Sequence, residues 1–353
     1  MQSMNIGIAG AGLLGRLVAW TLAHAGHRVS VFDPAAGPEP RFDGRGAAGF
    51  TAAGMLSPMA ERETAEADVA HRGWQSIERW QEITDRLSQA SPGVPKLFVR
   101  QGSLLVAHGS DQGAARRVLA RLVDGSEPSA EAQPQALDAA ALAQLEPSLH
   151  GTLGRLHAWL LAGEAHIDTV RTLLRLHDDA PAVQWHWAQA VQHIQPGQLD
   201  GRPYDWVFDL RGVGAKASCA VRGVRGEMVW LHAPGLGLNR PVRLLHPRHR
   251  VYVVPRPDDV VLVGASEIET EDRSPMSLRS AVELMAAAHS VLPALAESRI
   301  LRMDTNLRPA LPDHRPQCHV EPGLVRINGL YRHGWLLAPS LVDEALGQIG
   351  LLT

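Results

Sequence analysis

A short apolar run, Ile6 to Ala9, opens the chain's hydrophobic pattern. Glycines follow at positions 10, 12 and 15. From Leu13 to Ala25 apolar positions recur at the three-to-four-residue spacing of a helix lying on a core. Gly26 suits that helix as its C-cap, and a second apolar run, Val29 to Phe32, stops at Asp33. The stretch therefore reads as strand, tight turn, helix, strand. Farther on, Trp74, Ile77, Trp80 and Ile83 share one face of a helix expected over Arg72 to Ala90, which makes the tryptophans core side chains. Residues 109–143, rich in Ala, Gln, Asp and Glu, suit surface helices and a solvent-facing loop. Strand patterns cluster at Val224 to Leu231, Val251 to Val254 and Val260 to Gly264, the last two joined by a "PRPDD" hairpin loop. "DWVFDLRGVGA", Asp205 to Ala215, reads as a strand running into a glycine turn, and a last helix is expected from Trp335 to Leu346.

The 353 residues leave room for two domains, and 45% apolar with 20% charged content is that of an ordinary globular protein. A formal net charge of −3 gives no electrostatic footprint for nucleic acid. The segment Ile6 to Ala25 is broken by four glycines, Arg16 and His24, so it suits neither a signal peptide nor a membrane span. Two cysteines, Cys219 and Cys318, fit a reducing compartment. The expectation is a cytoplasmic protein without membrane or nucleic-acid partners. Among the 17 histidines, His157, His166, His186 and His193 form no ligand pair, and no metal site is expected.

The N-terminal pattern carries chemistry. In "GAGLLG" Gly10 permits the tight turn, Gly12 lets backbone approach a pyrophosphate, and Gly15 lets helix pack closely on strand. The helix N-terminus adds N–H groups and a positive dipole end. Asp33, 18 residues past Gly15, is placed to accept hydrogen bonds from a ribose and disfavours a 2′-phosphate, hence NADP. Strand, turn, helix, strand and acid in register identify a dinucleotide site, with NAD and FAD both open. A contiguous run of βα units does not follow Asp33, so the nucleotide domain is expected to be completed by late segments.

"TAAGMLSP", "DLRGVGA", "VRGVRGEMVWL", "RLLHPRHRVYVVPR", "VLVGASEIE", "NLRPALPDHRP" and "GLYRHGWLLAPSLV" follow "GIAGAGLLG" in order and span nearly the whole chain. Together they resemble the D-amino-acid oxidase and sarcosine oxidase family of flavoproteins, and within it the glycine oxidases of the thiamine-thiazole pathway. The resemblance implies a mixed α/β fold: a Rossmann-like FAD-binding domain interleaved with a substrate domain on a large antiparallel sheet. We expect 1–80, 145–218 and 300–353 in the first and 81–144 and 219–299 in the second. FAD is expected to be non-covalent, because "MDTNLRPALPD" lacks the tethering cysteine of other members.

The same resemblance assigns residues. Arg308, pushed toward an extended backbone by Pro309, would clamp a substrate carboxylate through its planar fork. Tyr252, which shares a strand face with Arg250 and Val254, would add its hydroxyl. Arg332, beside Tyr331, would line the pocket, either on substrate or paired with an acidic residue. Glu267 would stand near the substrate ammonium. Flavin contacts are implied at Gly10, Gly12, Leu13, Leu14, Gly15 and Asp33, at Ala53, Gly54 and Met55, and at Gly212. Others are implied at Arg332, His333, Gly334, Trp335 and Leu336, where the last helix aims its N-terminus at the flavin. Hydride transfer from Cα to flavin N5, with O2 as reoxidant, would oxidise glycine, sarcosine or small D-amino acids and supply glycine imine to thiazole synthase. A D-amino-acid dehydrogenase passing electrons to a quinone or carrier, and a non-catalytic flavin-binding module of a larger complex, remain alternatives. A homo-oligomer is also compatible.

Overall fold

The strand Asn5–Ala9 is central to a six-stranded sheet in the computed structural model, which describes residues 2–90, 93, 95–123, 133–149, 156–180, 182–246 and 250–352. It pairs in parallel with Arg28–Phe32 on one side and Trp206–Asp209 on the other. Gln184–His186 extends the sheet beyond the first, Leu324–Asn328 beyond the second, and Gln317–Glu321 closes that edge as an antiparallel hairpin. The helix Leu13–His24 joins the first two strands and packs against the last helix, Gly334–Gln348. Ile6, Ile8, Val29 and Val31 are all fully or almost fully buried, the signature of a parallel sheet covered on both faces.

The expected helix over Arg72 to Ala90 is longer, Ala67–Gln89, with Ile77, Trp80 and Ile83 buried and Trp74 half-buried. Trp80 has a further role. Pro339 sits inside the last helix and has no N–H, so the carbonyl of Trp335, four residues earlier, loses its helical donor. The Trp80 indole N–H donates to that carbonyl at 2.7 Å. One buried side chain thus repairs the ladder that a proline breaks.

The second sheet has eight strands: Arg299–Ala310, Arg222–His232, Val260–Gly264, Arg250–Arg256, Val242–Leu245, Ser103–His108, Leu156–Leu161 and Gln135–Leu137. Every pairing is antiparallel except Val242–Leu245 with Ser103–His108. Its faces alternate in use. Val229, Leu231, Val253, Val261 and Val263 point to a core covered by the helix Leu278–Val291, while the opposite set, including Trp230 and Val254, looks toward the nucleotide sheet. Val260–Gly264 matches its expected bounds, and the connecting turn holds Asp258 and Asp259 at φ of 64° and 55°, a left-handed conformation aspartate tolerates.

Several expectations are corrected. The boundary at residue 80 falls inside one helix. Strands Leu156–Leu161 and Arg299–Ala310, expected on the nucleotide side, belong to the second sheet, because each finds its hydrogen-bonding partner there. Within 109–143 a helix, Gln112–Val123, is present as expected, residues 124–132 lie outside the described residues, and Gln135–Leu137 is an edge strand. No helix of the described residues is long and apolar enough to cross a membrane.

Candidate active site

A cavity of about 1630 Å³ lies between the two sheets. Its nucleotide end is built from the first turn. Gly10 sits at φ +103°, and a Cβ there would come within 2.7 Å of the Leu210 carbonyl oxygen. A Cβ on Gly15 would fall 1.8 Å from the Gly10 carbonyl oxygen, so only glycine lets the helix lie this close to the strand. The helix that starts at Leu13 has no side-chain cap and no acidic residue in its first turn, leaving its N–H groups to the cavity. Asp33 accepts hydrogen bonds from the Ala11 N–H at 2.7 Å and the Ala35 N–H at 2.8 Å through different oxygens. Each oxygen keeps a lone pair for a ribose hydroxyl. These features fit the FMN-and-adenylate span of FAD.

Behind this turn lies a residue the sequence reading missed. Arg16, 1% exposed, donates to the carbonyls of Ala11, Leu173 and Pro38, and its guanidinium stacks near Phe50 and Trp187. Burial lowers its pKa to about 10. Its three carbonyl bonds tie the glycine turn to two neighbouring segments.

Of the expected flavin contacts, Gly10, Gly12, Leu13, Leu14 and Asp33 line the cavity, with Ala53, Gly54, Met55 and Gly212. At the last helix Arg332, Gly334 and Trp335 line it as well. Gly15, His333 and Leu336 do not border it. Gly15 is sealed against Gly10, and Leu336 turns away to pack on Gly73. His333 is directed to Glu61, with Nε2 at 3.0 Å from Oε2. The helix begins at Gly334, so its N–H-rich end does face the cavity. Cys219 and Cys318 are free thiols, and neither lines it.

At the other end, Arg308 stands on the strand Arg299–Ala310 opposite Val224. Its guanidinium lies across Gly226 on the neighbouring strand, where a Cβ would come within 2.5 Å of its carbon. Its Nη1 donates to the carbonyls of Arg225 at 3.3 Å and Ser266 at 3.0 Å. Among the described residues no carboxylate lies within ion-pair distance of it. Tyr252 leans in from the opposite direction over Gly264, its direct cross-strand neighbour, where a Cβ would come within 2.8 Å of the ring. Burial raises the Tyr252 pKa, while the charge of Arg308 opposes the rise. The hydroxyl stays protonated and able to donate.

Arg332 is differently placed. It forms an ion pair with Glu61 at 2.9 Å, donates to the Thr64 hydroxyl, and lies 3.9 Å from Glu267. Glu61, absent from the expected site residues, ends the short helix Pro58–Glu61 and is also 3.5 Å from Arg243. Burial would push its carboxyl up, but the His333 hydrogen bond and the charges of Arg332, His333 and Arg243 hold it well below the usual carboxylate range. Glu267 is half-exposed at the cavity wall. Tyr331, buried in the same wall at φ +51°, has its pKa raised by burial and by Glu267.

A dinucleotide cradle on a Rossmann-like sheet, meeting a polar pocket on an antiparallel sheet, defines a flavin-dependent oxidoreductase. The chain belongs to the FAD dependent oxidoreductase family, whose model matches residues 5–343, and FAD is its cofactor. Among its relatives, a putative thiamine biosynthesis oxidoreductase, ThiO, of Rhizobium etli is 37% identical over 342 residues, covering 97% of this chain and 95% of the relative. A bifunctional protein ThiO/ThiG of Nostoc sp. is 26% identical, the match taking in 96% of this chain and 51% of that protein. The fold also superposes on glycine oxidase from Bacillus cereus, with a TM-score of 0.81 and 19% identity over 99% of this chain and 98% of the other. For glycine oxidase from Geobacillus kaustophilus the TM-score is 0.78, with 23% identity over 97% and 93%.

Proposed function

We propose that this enzyme oxidises glycine, sarcosine and small D-amino acids to the imine, with O2 as electron acceptor. One observation carries the reading. Arg308 presents a guanidinium to the cavity whose hydrogen bonds are to two backbone carbonyls, leaving its charge without a carboxylate among the described residues. A half-buried cation in that condition attracts an anionic ligand, and a planar fork fits a carboxylate bidentately. Tyr252 supplies a second donor beside it.

Bound FAD supplies a two-electron acceptor for the Cα hydride and returns those electrons to O2 as hydrogen peroxide. The chain's own part is to fix the carboxylate, so that the Cα–H is presented in one direction. With the carboxylate fixed, a side chain has one open direction, which selects one enantiomer; glycine has no side chain to select. The N-terminus of the last helix favours negative charge at the cavity floor. The name of the Rhizobium etli relative supports a place in thiamine biosynthesis. The joining of ThiO with ThiG in the Nostoc protein supports transfer of glycine imine to a thiazole synthase.

The test is peroxide release in air-saturated buffer across glycine, sarcosine, D-alanine, D-proline and L-alanine. Turnover of glycine at a rate comparable to or above that of D-alanine, with L-alanine hardly touched, is expected. Robust turnover of L-alanine without glycine would overturn the assignment. Flavin bleaching by these substrates under nitrogen without peroxide in air would favour a dehydrogenase.

A further inference from the structure

Two guanidinium groups, Arg308 and Arg332, border the same cavity, and their surroundings are opposite. Arg308 holds carbonyls. Arg332 holds Glu61 at 2.9 Å and the Thr64 hydroxyl. A small carboxylate entering the cavity meets two planar forks, either of which can take it bidentately. The two resulting orientations would carry its amine to different places, and only one can be productive.

We infer that Glu61 is a positioning residue: by occupying Arg332, and with it the neighbouring Arg243, it denies those forks to the ligand's carboxylate and leaves the carboxylate to Arg308. The inference rests on the reading of Arg308 given above. Three features make the hold effective. The Arg332 and Glu61 side chains are only 21% and 13% exposed, so salt and water screen their attraction little. His333 at 3.0 Å and Arg243 at 3.5 Å reach Glu61 from other elements and fix its direction. The helix that carries Glu61 is itself anchored, since the Ala60 N–H donates to the fully buried Glu164 at 3.0 Å. Glu267 cannot substitute: it is half-exposed and 3.9 Å away.

The experiment titrates the FAD-loaded protein with sodium acetate, read as the perturbation of the flavin absorbance band. Arg308→Ala should weaken acetate binding by roughly thirtyfold or more, as loss of a bidentate ionic contact does. Adding Glu61→Gln to that variant releases Arg332, and binding should recover by roughly tenfold. Adding Glu61→Asp, which keeps the charge, should recover nothing. If Arg308→Ala binds acetate normally, the clamp reading fails. If it loses acetate and the Gln double variant recovers none, or the Asp double variant recovers as much, the positioning role is overturned. Should the Gln double variant not retain FAD, Arg332→Gln decides alone. An affinity within about threefold of the parent supports an Arg332 held off the ligand, and a loss like that of Arg308→Ala refutes it.

Discussion

Gly226→Ala is the sharpest probe of the site, because it acts on one guanidinium and little else. The added methyl would lie 2.5 Å from the Arg308 guanidinium carbon and from Nη1, against about 3.4 Å for ordinary contact, so the fork must move by roughly 1 Å. It moves away from two carbonyl acceptors, at 3.3 Å and 3.0 Å, that now set its direction. The obstacle is the far end of a flexible side chain, not backbone, so the fold can yield. An alanine also lowers the entropy of the unfolded chain, by about 0.4–1 kcal/mol where the native backbone accepts it. Thermal stability and FAD content should therefore stay near those of the parent. Catalysis should not. A misplacement of about 1 Å can cost on the order of 10²-fold in kcat/KM, equivalent to about 2.7 kcal/mol. The assay pairs initial rates of peroxide release from glycine with a thermal melt and the flavin-to-protein absorbance ratio. Kinetics within about threefold of the parent, in a folded and FAD-loaded variant, would refute the claim that the position of Arg308 matters.

Arg308→Lys keeps the charge and loses the fork, so kcat/KM for glycine should fall by on the order of 10²-fold at normal FAD content. Trp80→Phe leaves the Trp335 carbonyl without a donor and should cost about 1–3 kcal/mol in denaturant unfolding; Pro339→Ala in that background restores an N–H and should return part of the loss. His166 is buried beside Arg256, and burial first, then that charge, lowers its pKa to about 3 from 6.5. Below pH 6.5 the unfolded chain takes up a proton that the fold refuses, so stability falls as pH drops from 6.5 toward 3. Urea midpoints near pH 7 and near pH 5 should differ less in His166→Gln than in the parent; an unchanged difference would rule out this imidazole as a source of acid sensitivity.

What the sequence disclosed was whatever is local. The first 33 residues carry strand, turn, helix and acid within one supersecondary unit, and each local cue agrees with the fold. A short run of β-branched and apolar residues marked the strand Val260–Gly264 to the residue. The placing of Arg308 on a strand end was also legible, because Pro309 restricts its backbone. Glu61 was not, since its role comes from Arg243, Arg332 and His333, 182 to 272 residues away along the chain. Arg332 lies in a stretch that announces a pocket, but the partner that pins it is likewise remote. Gly226 looks like any strand glycine until Arg308 is laid over it from the next strand. The extents of the two domains failed for the same reason: which sheet Arg299–Ala310 joins is decided by a partner strand 67 residues upstream at its nearest pairing point, His232 with Arg299, and Arg222 with Ala310 lies farther still.

The first strand's two neighbours have unequal sequence distances. Arg28–Phe32 arrives almost at once, whereas the Asn5 N–H bonds to the Asp205 side chain, 200 residues later, and Leu324–Asn328 joins only after that. The helix that closes the cavity floor comes later again, at Gly334–Gln348. On a ribosome, the glycine turn therefore emerges long before the segments that complete its cradle. The nascent chain carries a half-made nucleotide sheet, with an open strand edge, through most of its synthesis. The cradle is complete only once those late segments have joined, and until then the open edge is the feature that a chaperone would have to shield.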